Sequence, residues 1–271
     1  MIHRMQQTAT EKIITLTDGI VYGHRMEWCG SVWHPLKLSL LRPRQFFYYD
    51  EPVVLPVIVW LCGGGFTEMD RNVWIPELAW FAKKGYAVAC VEYRVTARTR
   101  FPMQLEDVKL AIRWLRAHAG EMGIDPERIF VGGESAGGYL SALTGLMGKG
   151  REYDHGEYLE YSSGVQGVIA FYPCTVMSEL EIDPEVAALP PDTHKFTDLP
   201  GLVNEDTPPF MLLHGTKDSQ VPISHSERLY EALESKGKRA EFYIFEGAEH
   251  ADAPFFQEST KNRILDFMNS L

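Results

Sequence analysis

Residues 128–147 constrain this chain more than any other stretch. Arg128-Ile129-Phe130-Val131 is an apolar run that reads as a short buried strand. Gly132-Gly133-Glu134-Ser135-Ala136-Gly137-Gly138 follows, and residues 139–147 read as a helix. Gly133, Ser135 and Gly137 fill the G-x-S-x-G pattern in the strand–turn–helix setting that the pattern requires. A serine on so sharp a turn has a strained backbone, and flanking glycines let strand and helix approach closely. Its hydroxyl then stands above the sheet, beside the positive end of a helix. Alone, such a segment is also compatible with a chance glycine-rich turn.

The rest of the chain alternates apolar strand-like runs with helical patterns, the signature of α/β architecture around a mostly parallel sheet. Residues 13–16, 19–22 and 34–41 alternate like antiparallel edge strands. Residues 53–61 and 86–93 are continuous apolar runs, as expected of central strands buried on both faces. Further strands are expected at 129–132, 167–171, 210–214 and 241–245. Helices are expected over 103–121, 222–236 and 255–271. Two stretches interrupt the alternation. Residues 149–164 are polar and aromatic. Residues 175–207 carry Pro184, Pro190, Pro191 and Pro200 and are too long for a plain connection. The latter reads as a cap inserted at about 174–208 into one domain covering 1–271, or as a surface excursion.

The chain carries 37 acidic and 26 basic residues, a formal net charge of −11. That balance argues against a nucleic-acid partner and against docking on anionic membranes. Most of the charge is expected on solvated helix faces. No apolar run approaches a membrane span, and residues 1–7 lack an apolar signal core. The four cysteines lack the paired spacing of a zinc site. A reduced, cytoplasmic protein is the simplest expectation.

A serine hydroxyl needs a general base, and the base needs an orienting acid. Phe210-Met211-Leu212-Leu213-His214-Gly215-Thr216-Lys217-Asp218 offers a buried strand followed by a loop with Asp218 as the acid. Phe242-Tyr243-Ile244-Phe245 is the next strand, and the loop after it ends on His250, the expected base. His214 is expected to brace the acid loop, His118 to face solvent and His225 to lie at the surface or to contact a ligand. A tetrahedral intermediate also needs donors for its oxyanion. Gly63, Gly64 and Gly65, after the first central strand, allow a close backbone approach, and the N–H of Ala136 is the natural further donor.

These residues together resemble the hormone-sensitive-lipase-like esterases, in particular a small bacterial branch of acetyl esterases and feruloyl-type carbohydrate esterases. The resemblance covers roughly residues 20–271. It rests on Cys62-Gly63-Gly64-Gly65-Phe66, Glu92-Tyr93-Arg94, Gly133-Glu134-Ser135-Ala136-Gly137-Gly138, His214-Gly215-Thr216-Lys217-Asp218, and Gly247 with His250. It implies an α/β-hydrolase fold, a mostly parallel eight-stranded sheet flanked by helices with a small cap. It implies hydrolysis of short-chain esters, acetyl above all, of sugars or plant-derived phenolics, through an acyl-enzyme and without cofactor or metal. The partner is then a small-molecule ester, and a homodimer is left open. Phe66, Trp74, Tyr172 and Pro173 are expected as pocket walls, with core packing as the alternative for each. One departure stands out. The family's loop usually begins with histidine, and Cys62 replaces it here, so the loop is either looser or braced by another residue such as Tyr93 or Arg94. Arg94 could also contact a polar substrate or form a structural ion pair beneath the loop. Two other readings stay open: a prolyl-oligopeptidase-like peptidase, and a non-catalytic receptor on the same scaffold.

Overall fold

Alternation along the central strands divides the apolar side chains between two faces of one sheet. Val57, Val59 and Leu61 enter the core on one face, while Ile58 and Trp60 enter the core on the other. Phe210 and Leu212 against Met211 and Leu213 repeat the division, as the two-residue period of a pleated strand demands. The computed structural model describes all residues except 7, 28–29, 45–52, 97–98 and 181–195.

Eight strands form the sheet: β1 (Ile14–Met26), β2 (Trp33–Pro43), β3 (Leu55–Leu61), β4 (Ala87–Val91), β5 (Ile124–Glu134), β6 (Gly167–Phe171), β7 (Phe210–Gly215) and β8 (Ala240–Phe245). Their spatial order is β1-β2-β4-β3-β5-β6-β7-β8. The β1–β2 and β2–β4 pairs are antiparallel, and the remaining five pairs are parallel. This is the α/β-hydrolase arrangement that the resemblance implies. The two early alternating runs merge into the single strand β1.

The helices are α1 (Ile75–Lys83), α2 (Met103–Ala117), α3 (Ala119–Met122), α4 (Ala136–Met147), α5 (Ser224–Ser235) and α6 (Glu258–Asn269). α2, α4 and α5 cover one face, and α1 and α6 the other. The expected helix over 103–121 breaks at His118, whose backbone leaves helical geometry. α1 has no counterpart in the sequence reading.

α2 also corrects the expectation of solvated charge. Lys109 and Arg113 are fully buried. Lys109 donates to the Gly150 carbonyl at 2.6 Å, and Arg113 to Asp154 at 2.8 Å and to the His155 carbonyl at 2.7 Å. The polar stretch 149–164 is thus a strap pinned to α2. The proposed cap lies partly outside the described residues. Its described flanks meet in a bridge between Val176 and Asp198, and Phe196 is buried against Phe101.

Candidate active site

The strand order reverses at β3 and β5, whose successors run to opposite sides of the sheet. A crevice opens at the carboxyl ends of strands at such a point. The glycine loop after β3 and Ser135 after β5 both sit there.

Ser135 has φ 56° and ψ −121°, the strained turn expected of it. Its N–H donates to the Phe171 carbonyl at 3.0 Å, anchoring the turn to the end of β6. Gly137 explains its own identity: a Cβ there would stand 2.0 Å from the Leu61 carbonyl oxygen. The turn therefore rests directly on the end of β3.

Asp218 and His250 come from the loops after β7 and β8, and the structure brings both to Ser135. His250 Nδ1 lies 2.7 Å from Asp218 Oδ2, and its Nε2 lies 3.0 Å from Ser135 Oγ. The carboxylate accepts, so Nδ1 carries the proton and Nε2 presents a lone pair to the hydroxyl. Asp218 Oδ1 accepts the backbone N–H groups of Gln220 (3.0 Å) and Val221 (2.8 Å). Burial opposes ionisation of Asp218, but hydrogen bonds from His214, His250 and the Val221 N–H outweigh it. They hold the carboxyl well below the usual carboxylate range. His214 braces this loop as expected. It is fully buried, accepts from Ser226 Oγ at 2.7 Å, donates to the Val221 carbonyl at 2.8 Å and lies 3.4 Å from Asp218 Oδ2.

The loop after β3 departs in part from expectation. The Gly63 N–H donates to Glu134 Oε1 in a short hydrogen bond, so it is turned away from an oxyanion. Gly64, Gly65 and Ala136 keep backbone N–H groups without an acceptor among the described residues. Gly64 and Gly65 have φ of 133° and 58°, in the region that favours glycine, and a Cβ on Gly64 would lie 2.0 Å from the Glu68 carbonyl oxygen. Cys62 sits in the apolar core, and burial pushes its thiol far above the ordinary range. Bracing comes from Tyr93, whose hydroxyl donates to the Cys62 carbonyl at 2.5 Å. Arg94 takes the structural role open to it, a buried ion pair with Asp107 at 2.8 Å.

Glu134 was missed by the sequence reading. It is buried and accepts from Gly63 N–H and from Trp74 Nε1 at 3.1 Å, and burial raises its carboxyl. A signal existed: an acidic residue between glycine and serine at the end of a buried strand needs donors.

Four expected pocket walls divide. Phe66 is half-buried and meets Tyr139 edge-on, with ring centroids 5.4 Å apart. Trp74 is half-buried, stacks on Phe256 at 4.1 Å and is tied to Glu134. Tyr172 and Pro173 are buried and present no wall to solvent. Tyr172 instead supports the His250 ring, 4.5 Å between centroids. Two histidines also correct expectation. His225 is fully buried and accepts the Val176 N–H at 3.1 Å. His118 stacks on Trp114 at 4.3 Å. A cavity of about 350 Å³ opens beside the glycine loop, lined in part by His34, Thr67, Glu68, Glu92, Tyr93 and Arg94.

A sheet of this order, with serine, acid and histidine following β5, β7 and β8, defines the α/β-hydrolase class. The chain belongs to the BD-FAE family, whose profile matches residues 50–233. It is 29% identical over 219 residues to the probable carboxylic ester hydrolase LipM of Mycobacterium tuberculosis, covering 75% of this chain and 49% of that one. It is 28% identical to the esterase LipC of the same organism, covering 92% and 72%. The chain thus spans about half the length of LipM and more of LipC. Among solved structures, esterase 2 of Thermogutta terrifontis superposes with a TM-score of 0.74 at 27% identity, covering 95% of this chain and 92% of that one. A truncated carbohydrate esterase from gut microbiota superposes at 0.81 over 98% and 99%, and at 22% identity that likeness concerns the fold. No helix among the described residues is long and apolar enough to cross a membrane.

Proposed function

We propose that this protein is a serine carboxylic-ester hydrolase acting on short-chain, chiefly acetyl, esters of sugars or plant-derived phenolic compounds. The observation that carries the reading is the unbroken relay from Asp218 through His250 to Ser135, at 2.7 and 3.0 Å. His250 Nε2 takes the Ser135 proton as Oγ attacks the ester carbonyl. The N–H groups of Gly64, Gly65 and Ala136 receive the developing oxyanion. The imidazolium, steadied by ionised Asp218, returns its proton to the leaving alcohol, and water then releases the acid by the same route. The named relatives are esterases, which favours this reading over a peptidase or a receptor. The reading carries a cytoplasmic placement, supported by free thiols at Cys62, Cys90 and Cys174. It also leaves a homodimer to be tested by sedimentation.

The test is hydrolysis of p-nitrophenyl acetate, butyrate, octanoate and laurate by the native chain and by Ser135→Ala. Serine-dependent turnover that falls steeply with acyl length is expected, followed by release of acetate from acetylated xylo-oligosaccharides. Absence of serine-dependent turnover on every ester overturns the reading.

A further inference from the structure

We infer that Glu134 is the positioning residue of the oxyanion loop, holding Gly63 so that the N–H groups of Gly64 and Gly65 stay aimed at the reacting carbonyl. The inference rests on the esterase reading above. Three features of the site carry it.

The first is the convergence of donors. Gly63 N–H and Trp74 Nε1–H both end on Glu134 Oε1, so one oxygen fixes the loop after β3 and the indole that precedes α1. The second is connectivity. Glu134 directly precedes Ser135, so one residue ties the loop to the nucleophile turn, and the two cannot drift apart without breaking that hydrogen bond. The third is the absence of the usual brace. Cys62 points into the apolar core, where a thiol cannot supply the hydrogen bonds of an imidazole, and its carbonyl accepts from the Tyr93 hydroxyl. A Cβ on Gly63 would lie 2.5 Å from Glu134 Oε2, so the carboxylate packs directly on that backbone and leaves it no slack. Gly64 and Gly65 are exposed and have no acceptor of their own among the described residues. Beyond Gly63 the loop is held from its far side, by the Thr67 and Glu68 N–H groups on the Gly64 carbonyl at 3.1 Å, so losing the Gly63 clamp leaves the loop folded but cuts the tie that aims its donors at the nucleophile turn.

Glu134 needs acceptor geometry for this role and not its charge, which separates it from Asp218. An amide carbonyl at the same place has two lone pairs and can accept both N–H groups. The experiment therefore compares Glu134→Ala and Glu134→Gln in the steady-state hydrolysis of p-nitrophenyl acetate. Glu134→Ala is expected to lower kcat about 10- to 100-fold with KM changed less than about threefold, the pattern of an interaction made mainly in the transition state. Glu134→Gln is expected to recover most of that loss, to within about fivefold of the native chain. A folded Glu134→Ala with native kcat overturns the inference. So does a Glu134→Gln as impaired as Glu134→Ala, because charge and not acceptor geometry would then be required. Should Glu134→Ala fail to fold, NMR decides: the Gly63 amide proton of the native chain should exchange slowly and shift as the Glu134 carboxyl titrates. Rapid exchange, or a shift that ignores that titration, overturns the inference. The native chain and Ser135→Ala are assayed alongside, so failure of the esterase reading shows as lost serine dependence and is distinguishable from failure of the clamp.

Discussion

Two buried carboxylates flank the nucleophile, and they are held in opposite ways. Asp218 lies in the loop after β7 and accepts hydrogen bonds on both its oxygens, two of its partners being imidazoles. Its charge is therefore favoured despite burial. Glu134 ends β5 and accepts two neutral donors on a single oxygen, too few to offset burial, so its carboxyl is raised. On the proposed mechanism, the first region stabilises a charge that appears on His250. The second is built to hold a backbone still. One carboxylate serves by electrostatics and the other by shape, and the number and type of donors decides which.

The sharpest way to break this comparison is at the nucleophile both regions serve. Ser135→Ala should abolish ester turnover while the melting temperature stays nearly unchanged; residual turnover at the native rate would sink the mechanism. Asp218→Asn should follow, lowering kcat by on the order of 10⁴-fold, because the amide no longer enforces the Nδ1–H tautomer. Asp218→Asn and Glu134→Gln thus replace the same chemical group with very different results. If the two losses match, the division between charge and shape is wrong.

Stability against pH sharpens the same contrast. Asp218 has a depressed pKa in the folded state, so its contribution is complete above the ordinary carboxylate value of 3.8 and fades as pH falls through the folded value. Glu134 has a raised pKa, so the folded state binds its proton more readily than the unfolded chain does. The native chain should therefore gain stability relative to Glu134→Gln as pH falls from 7 toward about 4.5, and lose it relative to Asp218→Asn only below about 4. Thermal melts of the three proteins from pH 3 to pH 7 would show this; parallel curves would contradict it.

A smaller effect is expected at the second brace of the loop. Tyr93→Phe removes the hydroxyl that meets the Cys62 carbonyl. It should cost about 1 kcal/mol and lower the melting temperature by roughly 2–4 °C. The smallest effect concerns the thiols. Burial pushes Cys90 and Cys174 up to about 12, and Cys62 higher still. None of the three should react with a disulfide reagent at pH 8 until the chain is unfolded.

Much of this site is legible in the chain because its signals are local. A continuous apolar run bounded by glycine and proline announces a central strand, and β3, β4, β6, β7 and β8 fall within two residues of expectation. The loops after β5, β7 and β8 offer Ser135, Asp218 and His250 in the order such a hydrolase needs. Charged residues mislead for a physical reason. Lys109, Arg113 and Arg116 lie along α2 at helical spacing, as residues of a solvated face would. They are covered because the 149–164 strap offers carbonyls and Asp154 across more than 30 residues of sequence. α1 escaped notice because at nine residues its run is too short for a long apolar stripe to mark it.

Sequence alone determined the fold class, the strand order of the three catalytic candidates and the glycines that the turns require. These depend on backbone sterics and on periodic burial, both written in neighbouring residues. Only the tertiary structure decided that Gly63 gives its N–H to Glu134, that Tyr93 and not Arg94 braces Cys62, and that the Tyr172 ring is buried against His250. Each of these joins residues far apart in the chain. Hydrogen-bond direction and solvent exposure follow from the packing of whole elements, which no local pattern records.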